Sequence, residues 1–371
     1  MKVGAMLDQT GSLTDFTPEF AAACQLAIED QNSENAITHR PERFVLDLKD
    51  SKSTDAGAEE AMNALVADNV SFVLGPRTSA QCKKVLPIAQ ANGVAILAPR
   101  SVADELAIPN DALFRLISPD RQVVPLVART AIGRGMKYIC VLYRNDVYGT
   151  NALGIMTTAM RDAGGDVVYS QSYNASTGPS DAELQQFVDA TLAQKAIHGT
   201  ETGIAYFSIS EMVAGFAKLN GQPDSFRTIG SVSAQSLANV PSMLTNDQAR
   251  AYCTASHFQA VAFALASSPA ITIPAGANLL GRIAARCGKP TPDELSVNVY
   301  DGMRAILRAT QRPESTAIAQ MQGEVDSSPA GTLGTMHFNE NGDRIGEFYG
   351  VYEIDASGAT PVWKRAATLT H

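Results

Sequence analysis

The sequence has no apolar run near the roughly 20 residues that a bilayer-spanning helix needs, so no direct membrane insertion is expected. It has no excess of basic charge either. Its 29 Lys and Arg stand against 38 Asp and Glu, and the net charge of −9 argues against nucleic acid or an anionic membrane surface as partner. Cysteine pairs are missing too. Cys24, Cys82, Cys140, Cys253 and Cys287 lie far apart with no CxxC or HxxxH spacing, and the five histidines are scattered, so no metal site is expected. Cys24 and Cys82 fall on apolar faces of expected helices and Cys140 inside an expected strand, which reads as core packing. A bridge between Cys253 and Cys287 stays open. The first residues, Met1 to Leu7, read as a strand that starts at once rather than as a charged-then-apolar leader. Two expectations remain from that, a cytoplasmic protein or an exported one whose signal has been removed.

Enzyme signatures are also lacking. There is no G-x-G-x-x-G after the first strand, no G-x-x-x-x-G-K-[ST], no G-x-S-x-G elbow and no H-E-x-x-H. Asp8, Asp47 and Asp50 lie at carboxyl ends of expected strands, as in some metal-dependent hydrolases, but no basic or nucleophilic partner accompanies them. No catalysis and no cofactor are expected.

What is present is a repeated alternation of strands and helices. With 371 residues, 45% of them hydrophobic, the chain is too long for one ordinary core and suits two lobes. The stretch from Val70 to Leu106 reads as strand, turn, helix, strand, turn. Gly75-Pro76 breaks the first strand, Thr78 or Ser79 is placed to cap the helix, and Cys82, Val85, Leu86 and Ala89 give it one apolar face. Two strands joined by one helix run parallel, so both turns lie at the same edge of the sheet, where open α/β folds bind ligands. Arg77, Thr78, Ser79, Arg100 and Ser101 are thereby gathered with free N–H groups at a helix start, a donor-rich set that suits a carboxylate. The alternation starts over after Ser118-Pro119, which implies two doubly wound α/β lobes. Ala251 to Ala255 reads as a connecting strand, and a terminal hairpin is expected around Ala356-Ser357-Gly358.

The patterns VLGPRTSA…GVAILAPRSVADEL, LDQTGSLTDF, FRLISPDRQ, VLYRNDVYGTNAL and GTLGTMHFNENGD, in this order and spacing, resemble the leucine/isoleucine/valine-binding family, the type I periplasmic solute-binding proteins of ABC importers. The resemblance covers nearly the whole chain. It implies two lobes joined by three hinge crossings, near Ser118, Thr254 and Thr335, with a ligand cleft between them. The lobes would comprise residues 1–118 with 255–334, and 119–254 with 335–371. By position, the turns at Ser79 and at Arg100-Ser101-Val102 would supply the first-lobe contacts, and Tyr148 would lie against the ligand from the second. Phe16, Thr78 and Ser208 are further candidates, and Asp301, on a helix that faces the cleft in this family, has two readings, an acceptor for a ligand amine or a locally paired acid. Ser79 has the alternative of capping its helix only, Arg100 of a solvated charge or a pair with Asp104, and Tyr148 of packing, while Arg77 reads as a solvated surface charge.

The chain departs from the amino-acid binders at two places. It has Arg100 and Val102 where they carry a small residue and a threonine. It also reads Gly230-Ser231-Val232-Ser233 where they carry a carboxylate for the ligand ammonium, and no acid occurs between Asp224 and Asp247. The expectation is therefore a monomeric periplasmic or extracellular substrate-binding protein of an ABC uptake system. It would carry a small carboxylate-bearing molecule (amino acid, keto acid or aromatic acid) to a permease. The alternative is a cytoplasmic ligand sensor of the same fold, and an α/β enzyme is the third reading.

Overall fold

Five short strands in the first part of the chain build one parallel sheet. In the computed structural model, which describes residues 1–209, 211–220, 222, 226–231, 245–263, 279–289, 292, 295–332, 334–346, 349–355 and 362–369, they are β1 (Lys2–Leu7), β2 (Val45–Asp50), β3 (Phe72–Leu74), β4 (Ala95–Ala98) and β5 (Leu113–Arg115). The strand order is β2-β1-β3-β4-β5, and every neighbouring pair is parallel. Parallel neighbours need crossovers. These are α1 (Thr17–Ile37), α2 (Asp55–Ala67) and α3 (Ser79–Asn92). Each of the last two starts where a threonine side chain accepts a backbone N–H, Thr54 from Gly57 and Thr78 from Gln81, and α3 stops at Gly93 in the left-handed conformation. β3 and β4 are buried throughout, the reason they read as unbroken apolar runs.

The second alternation repeats the plan. α4 (Asp120–Gly133), β6 (Tyr138–Arg144), α5 (Val147–Asp162), β7 (Asp166–Tyr173), α6 (Asp181–His198), β8 (Thr202–Phe207), α7 (Met212–Leu219), β9 (Arg227–Gly230), α8 (Asp247–Ala255) and β10 (Gln259–Phe263) follow in turn. Their strands lie in the order β10-β9-β8-β6-β7, all parallel, which is the order of the first sheet. Helix α8 corrects the expected strand at Ala251–Ala255. Asn246 caps it by accepting from the Ala249 N–H, and Ala249, Tyr252 and Cys253 recur at three and four residues and are buried. Tyr252 stacks on Phe216 of α7 at 5.6 Å between ring centroids, so the apolar period was helical and not alternating.

Three helices then return to the first sheet: α9 (Leu279–Cys287), α10 (Leu295–Ala309) and α11 (Ala317–Asp326). Asp30 of α1 accepts from Arg282 of α9 at 2.7 and 2.9 Å and from the Tyr300 hydroxyl of α10 at 2.6 Å. Two short hairpins follow, β11 (Ala330–Gly331) with β12 (Gly334–Thr335) and β13 (His337–Phe338) with β14 (Arg344–Ile345). Asp343 in the second hairpin accepts from Arg115 Nε at 2.5 Å, and both side chains are 0% exposed. The Arg115 N–H also donates to the Gly342 carbonyl. Gly342 has φ +70°, and a Cβ there would meet Phe114 at 2.8 Å, so only glycine permits this close approach. Finally β15 (Tyr349–Asp355) adds antiparallel to β10, and β16 (Val362–Leu369) antiparallel to β15. The expected hairpin tip at Ala356–Gly358 lies outside the described residues.

The chain thus divides into Met1–Pro119 with Leu265–Glu347, and Asp120–Ala264 with Phe348–His371. The second and third crossings fall later than the expected 254/255 and 334/335. α8 and β10 complete the second sheet before the chain leaves it, and the Arg115–Asp343 pair keeps the late hairpin in the first unit. Cys253 belongs to one unit and Cys287 to the other, and all five cysteines are free thiols, so the bridge left open in the sequence is not formed. Among the described residues no helix is long and apolar enough to cross a membrane, and no cluster of His, Cys, Asp and Glu has the makings of a metal site.

Candidate functional site

In the first unit the strand order reverses between β1 and β3, and such a switch point, beyond the carboxyl ends of the strands, is where open α/β sheets bind ligands. Asp8 follows β1 there. Gly75 follows β3 with φ +98°, and a Cβ on it would sit 2.1 Å from the Met6 carbonyl oxygen, so the tight exit from β3 requires glycine. That exit carries Arg77 back over Asp8. Asp8 is 2% exposed; its Oδ1 accepts from Ser51 Oγ at 2.6 Å and from Gln81 Nε2 at 2.9 Å, and its Oδ2 lies 3.5 Å from Arg77 Nε. Arg77 also donates to the Leu13 carbonyl at 3.0 Å. Its guanidinium carbon is 4.9 Å from the centroid of the Phe16 ring, and that of Arg100 is 4.7 Å from the same centroid. The expectation of a solvated Arg77 is overturned: the side chain is 5% exposed, because Asp8 and the ring supply what water would otherwise give. Arg100 is half-buried beside it.

The turn after β4 is held from two sides. Thr78 is the cap of α3, and its partner in the capping box is Gln81, the residue that also donates to Asp8. Ser79 is therefore not the cap. Its buried Oγ accepts from the N–H groups of Val102 at 3.1 Å and Ala103 at 3.2 Å, with the buried Ser101 hydroxyl at 3.4 Å. From the other side Arg115 donates to the Ala103 carbonyl at 2.7 Å. Phe16, Thr78, Ser79, Arg100 and Ser101 are thus brought together as the sequence indicated. Ser79→Ala would strand two N–H groups in a dry site. It is expected to cost about 1–3 kcal/mol of stability without any ligand, to be read as a lower urea midpoint; an unchanged midpoint would show that the hydroxyl is no strut.

In the second unit the order reverses between β6 and β8. Arg144, the last residue of β6, is buried and donates to Asp146 at 2.8 Å and, by a shorter contact, to Glu211. Asp146 caps α5 by accepting from the Gly149 N–H at 2.9 Å, and Glu211 accepts from the Ile209 N–H at 2.9 Å. This cap sets Tyr148 on the first turn of α5, where its hydroxyl lies 3.0 Å from Ser231 Oγ. Ser208 directly follows β8 and is buried. Burial, and then the Glu211 carboxylate, hold the Tyr173 phenol well above the usual range, so it stays neutral.

Asp301 does not join either group. Its two carboxylate oxygens accept from the Thr332 N–H at 2.7 Å and hydroxyl at 2.6 Å, and it lines a groove of about 610 Å³ in the first unit with Asp30, Tyr300, Arg304 and Arg308. Sequence reasoning placed Arg77 at the first edge but took it for a surface charge, and it missed Gln81, Arg144 and Glu211 as parts of these edges. The usable signal was position, since Arg144 ends β6 and the other three fall within seven residues after β3 or β8. Burial pushes the thiols of Cys24 and Cys82 up to about 12 and that of Cys140 up to about 11, which removes them as thiolate nucleophiles.

Comparison with known proteins agrees with this architecture. The family described as periplasmic binding protein matches residues 1–358. Leu/Ile/Val-binding protein homolog 7 of Brucella abortus is 24% identical over 187 residues, which cover 48% of this chain and 46% of that protein. The chain spans about half the length of the curated relatives it matches. A leucine binding protein, LivK, of Thermotoga maritima superposes with a TM-score of 0.77 at 17% identity over 100% of this chain and 98% of its own. A solute binding protein of R. palustris in complex with 4-hydroxybenzoate does so with a TM-score of 0.79 at 14% identity over 100% and 96%. Those two likenesses speak to the fold, that of the type I periplasmic binding proteins. With the family match running over nearly its whole length and the same strand order in both sheets, the chain belongs to the periplasmic binding protein family.

Proposed function

We propose that this protein is the substrate-binding component of an ABC uptake transporter, working in the periplasm or outside the cell and delivering its cargo to a membrane permease. Its cargo is a small organic acid. The observation that carries this reading is the cluster at the first switch point: two guanidiniums on one phenyl ring, beside a helix start and a pinned turn. Arg100 would hold the carboxylate, joined by the Ser79 hydroxyl and the first N–H groups of α3. Tyr148 and Ser208, at the corresponding edge of the second unit, are proposed as further contacts. The 4-hydroxybenzoate-binding neighbour supports a ligand of this size and charge, and the leucine-binding one supports the size and the carboxylate only.

Among the described residues the acids at the second switch point are already engaged, which favours a ligand without an α-ammonium. At the second switch point Asp146 and Glu211 are engaged by Arg144, and Asp120 accepts from Asn151 at 3.3 Å. Residues 232–244 contain no Asp or Glu. A buried ammonium without a counter-charge costs several kcal/mol. Calorimetry with benzoate, 4-hydroxybenzoate, 4-methyl-2-oxopentanoate and leucine tests this. The keto acid is expected to bind at least about tenfold more tightly than leucine, a difference of about 1.4 kcal/mol. Leucine binding more tightly than the keto acid would overturn the ligand class; no binding of any of the four would overturn the carboxylate reading itself.

A further inference from the structure

Arg77 stands one step behind Arg100. Its Nε is 3.5 Å from Asp8 Oδ2, and the other oxygen of that carboxylate is fixed by Ser51 and Gln81. It donates to the carbonyl of Leu13, the residue that leads into the single helical turn Thr14–Phe16. It therefore holds both the ring of Phe16 and the loop on which the ring is mounted. The ring also carries Arg100, with the two guanidinium carbons 4.9 and 4.7 Å from one centroid. Cations seek the negative faces of a ring and repel one another, so the place of the first restricts where the second settles.

We infer that Arg77 is a positioning residue: acting through Phe16, it sets the orientation of Arg100 and with it the selectivity for anionic over neutral ligands. This rests on the reading of Arg100 as the carboxylate contact. Asp8 is the element that permits it, because a local counter-charge lets a guanidinium lie 5% exposed behind the ring. Arg77 organises the site without adding its own charge to it. Ser79 and Arg115 pin the backbone of the turn that bears Arg100, and Phe16 constrains its side chain.

The test is a thermodynamic cycle on the full chain, read as the affinity ratio of benzoate to benzamide and of 4-methyl-2-oxopentanoate to its amide. Arg100→Gln is expected to reduce the acid-to-amide ratio about tenfold or more, and Phe16→Leu and the charge-balanced pair Asp8→Asn with Arg77→Met about three- to tenfold each. In the Arg100→Gln background the same changes should leave the ratio where Arg100→Gln alone put it. Equal reductions in both backgrounds, or an unchanged ratio in the Phe16 and Arg77 variants, would overturn the inference and leave Arg77 a packing residue. Phe16→Leu keeps the buried ion pair, so it decides the matter even where the Asp8/Arg77 variant does not fold. A wild type without acid preference would overturn the assignment of Arg100, and the inference with it.

Discussion

Arg115→Ala is expected to destabilise the protein by about 3–5 kcal/mol, because it leaves one half of a fully buried ion pair without its guanidinium. Arg115 Nε donates to Asp343 at 2.5 Å with both side chains 0% exposed, and a second nitrogen of the same guanidinium donates to the Ala103 carbonyl at 2.7 Å. The substitution therefore also frees one side of the turn that carries Arg100, and acid affinity should fall with stability. Replacing both charges, Arg115→Met with Asp343→Leu, is expected to cost far less, since no uncompensated carboxylate remains. Urea unfolding of the three proteins checks this; a single-variant cost under about 1 kcal/mol would mean that the pair holds nothing.

The pair also marks the limit of what was legible beforehand. Arg115 and Asp343 are 228 residues apart, and nothing local to either signals the other. By contrast the sheets were legible, because a buried parallel strand is a short unbroken apolar run and a crossover helix carries its own cap and stop. Thr78, Gln81 and Gly93 around α3 are the clearest case. The gathering of Ser79, Arg100 and Ser101 followed from that alone, since two parallel strands put their exits on one edge. What failed needed partners outside the window. Ala251–Ala255 looked extended because Tyr, Cys and Thr favour strands, whereas Asn246 before them and Phe216 opposite them decide for a helix. Arg77 looked solvated because arginine usually is, and Asp8, far earlier in the chain, makes its burial tolerable together with the Phe16 ring. Asp301 stood open between a ligand amine and a local pairing, and Thr332, 31 positions later in the turn between β11 and β12, decides for the second.

That placement of Asp301 gives a pH-dependent result. Burial pushes its carboxyl up to about 6 from an ordinary 3.8, against the hydrogen bonds from Thr332 and the opposing pull of Arg344 and Arg308. A carboxyl that is harder to ionise folded than unfolded contributes most to stability below pH 3.8, where it is protonated in both states. Its contribution falls as pH rises through the window up to about 6 and settles above it, a loss of about 3 kcal/mol for a shift of this size. Asparagine cannot ionise, and the Thr332 hydroxyl can turn to accept from its amide while the Thr332 N–H donates to its oxygen. Asp301→Asn should therefore gain on the wild type as pH rises from 4 to 7.5, by up to about 3 kcal/mol. Asp30, Glu34, Tyr300, Arg304 and Arg308 also line this groove and are common to both proteins. Urea midpoints at pH 4, 5, 6 and 7.5 give that difference directly, and a constant offset across the series would show that Asp301 titrates as an ordinary carboxyl. Leucine and 4-methyl-2-oxopentanoate affinities at pH 7.5 should be the same in both proteins. A selective loss of leucine binding in Asp301→Asn would instead make this carboxylate the ammonium partner and return the ligand class to the amino acids.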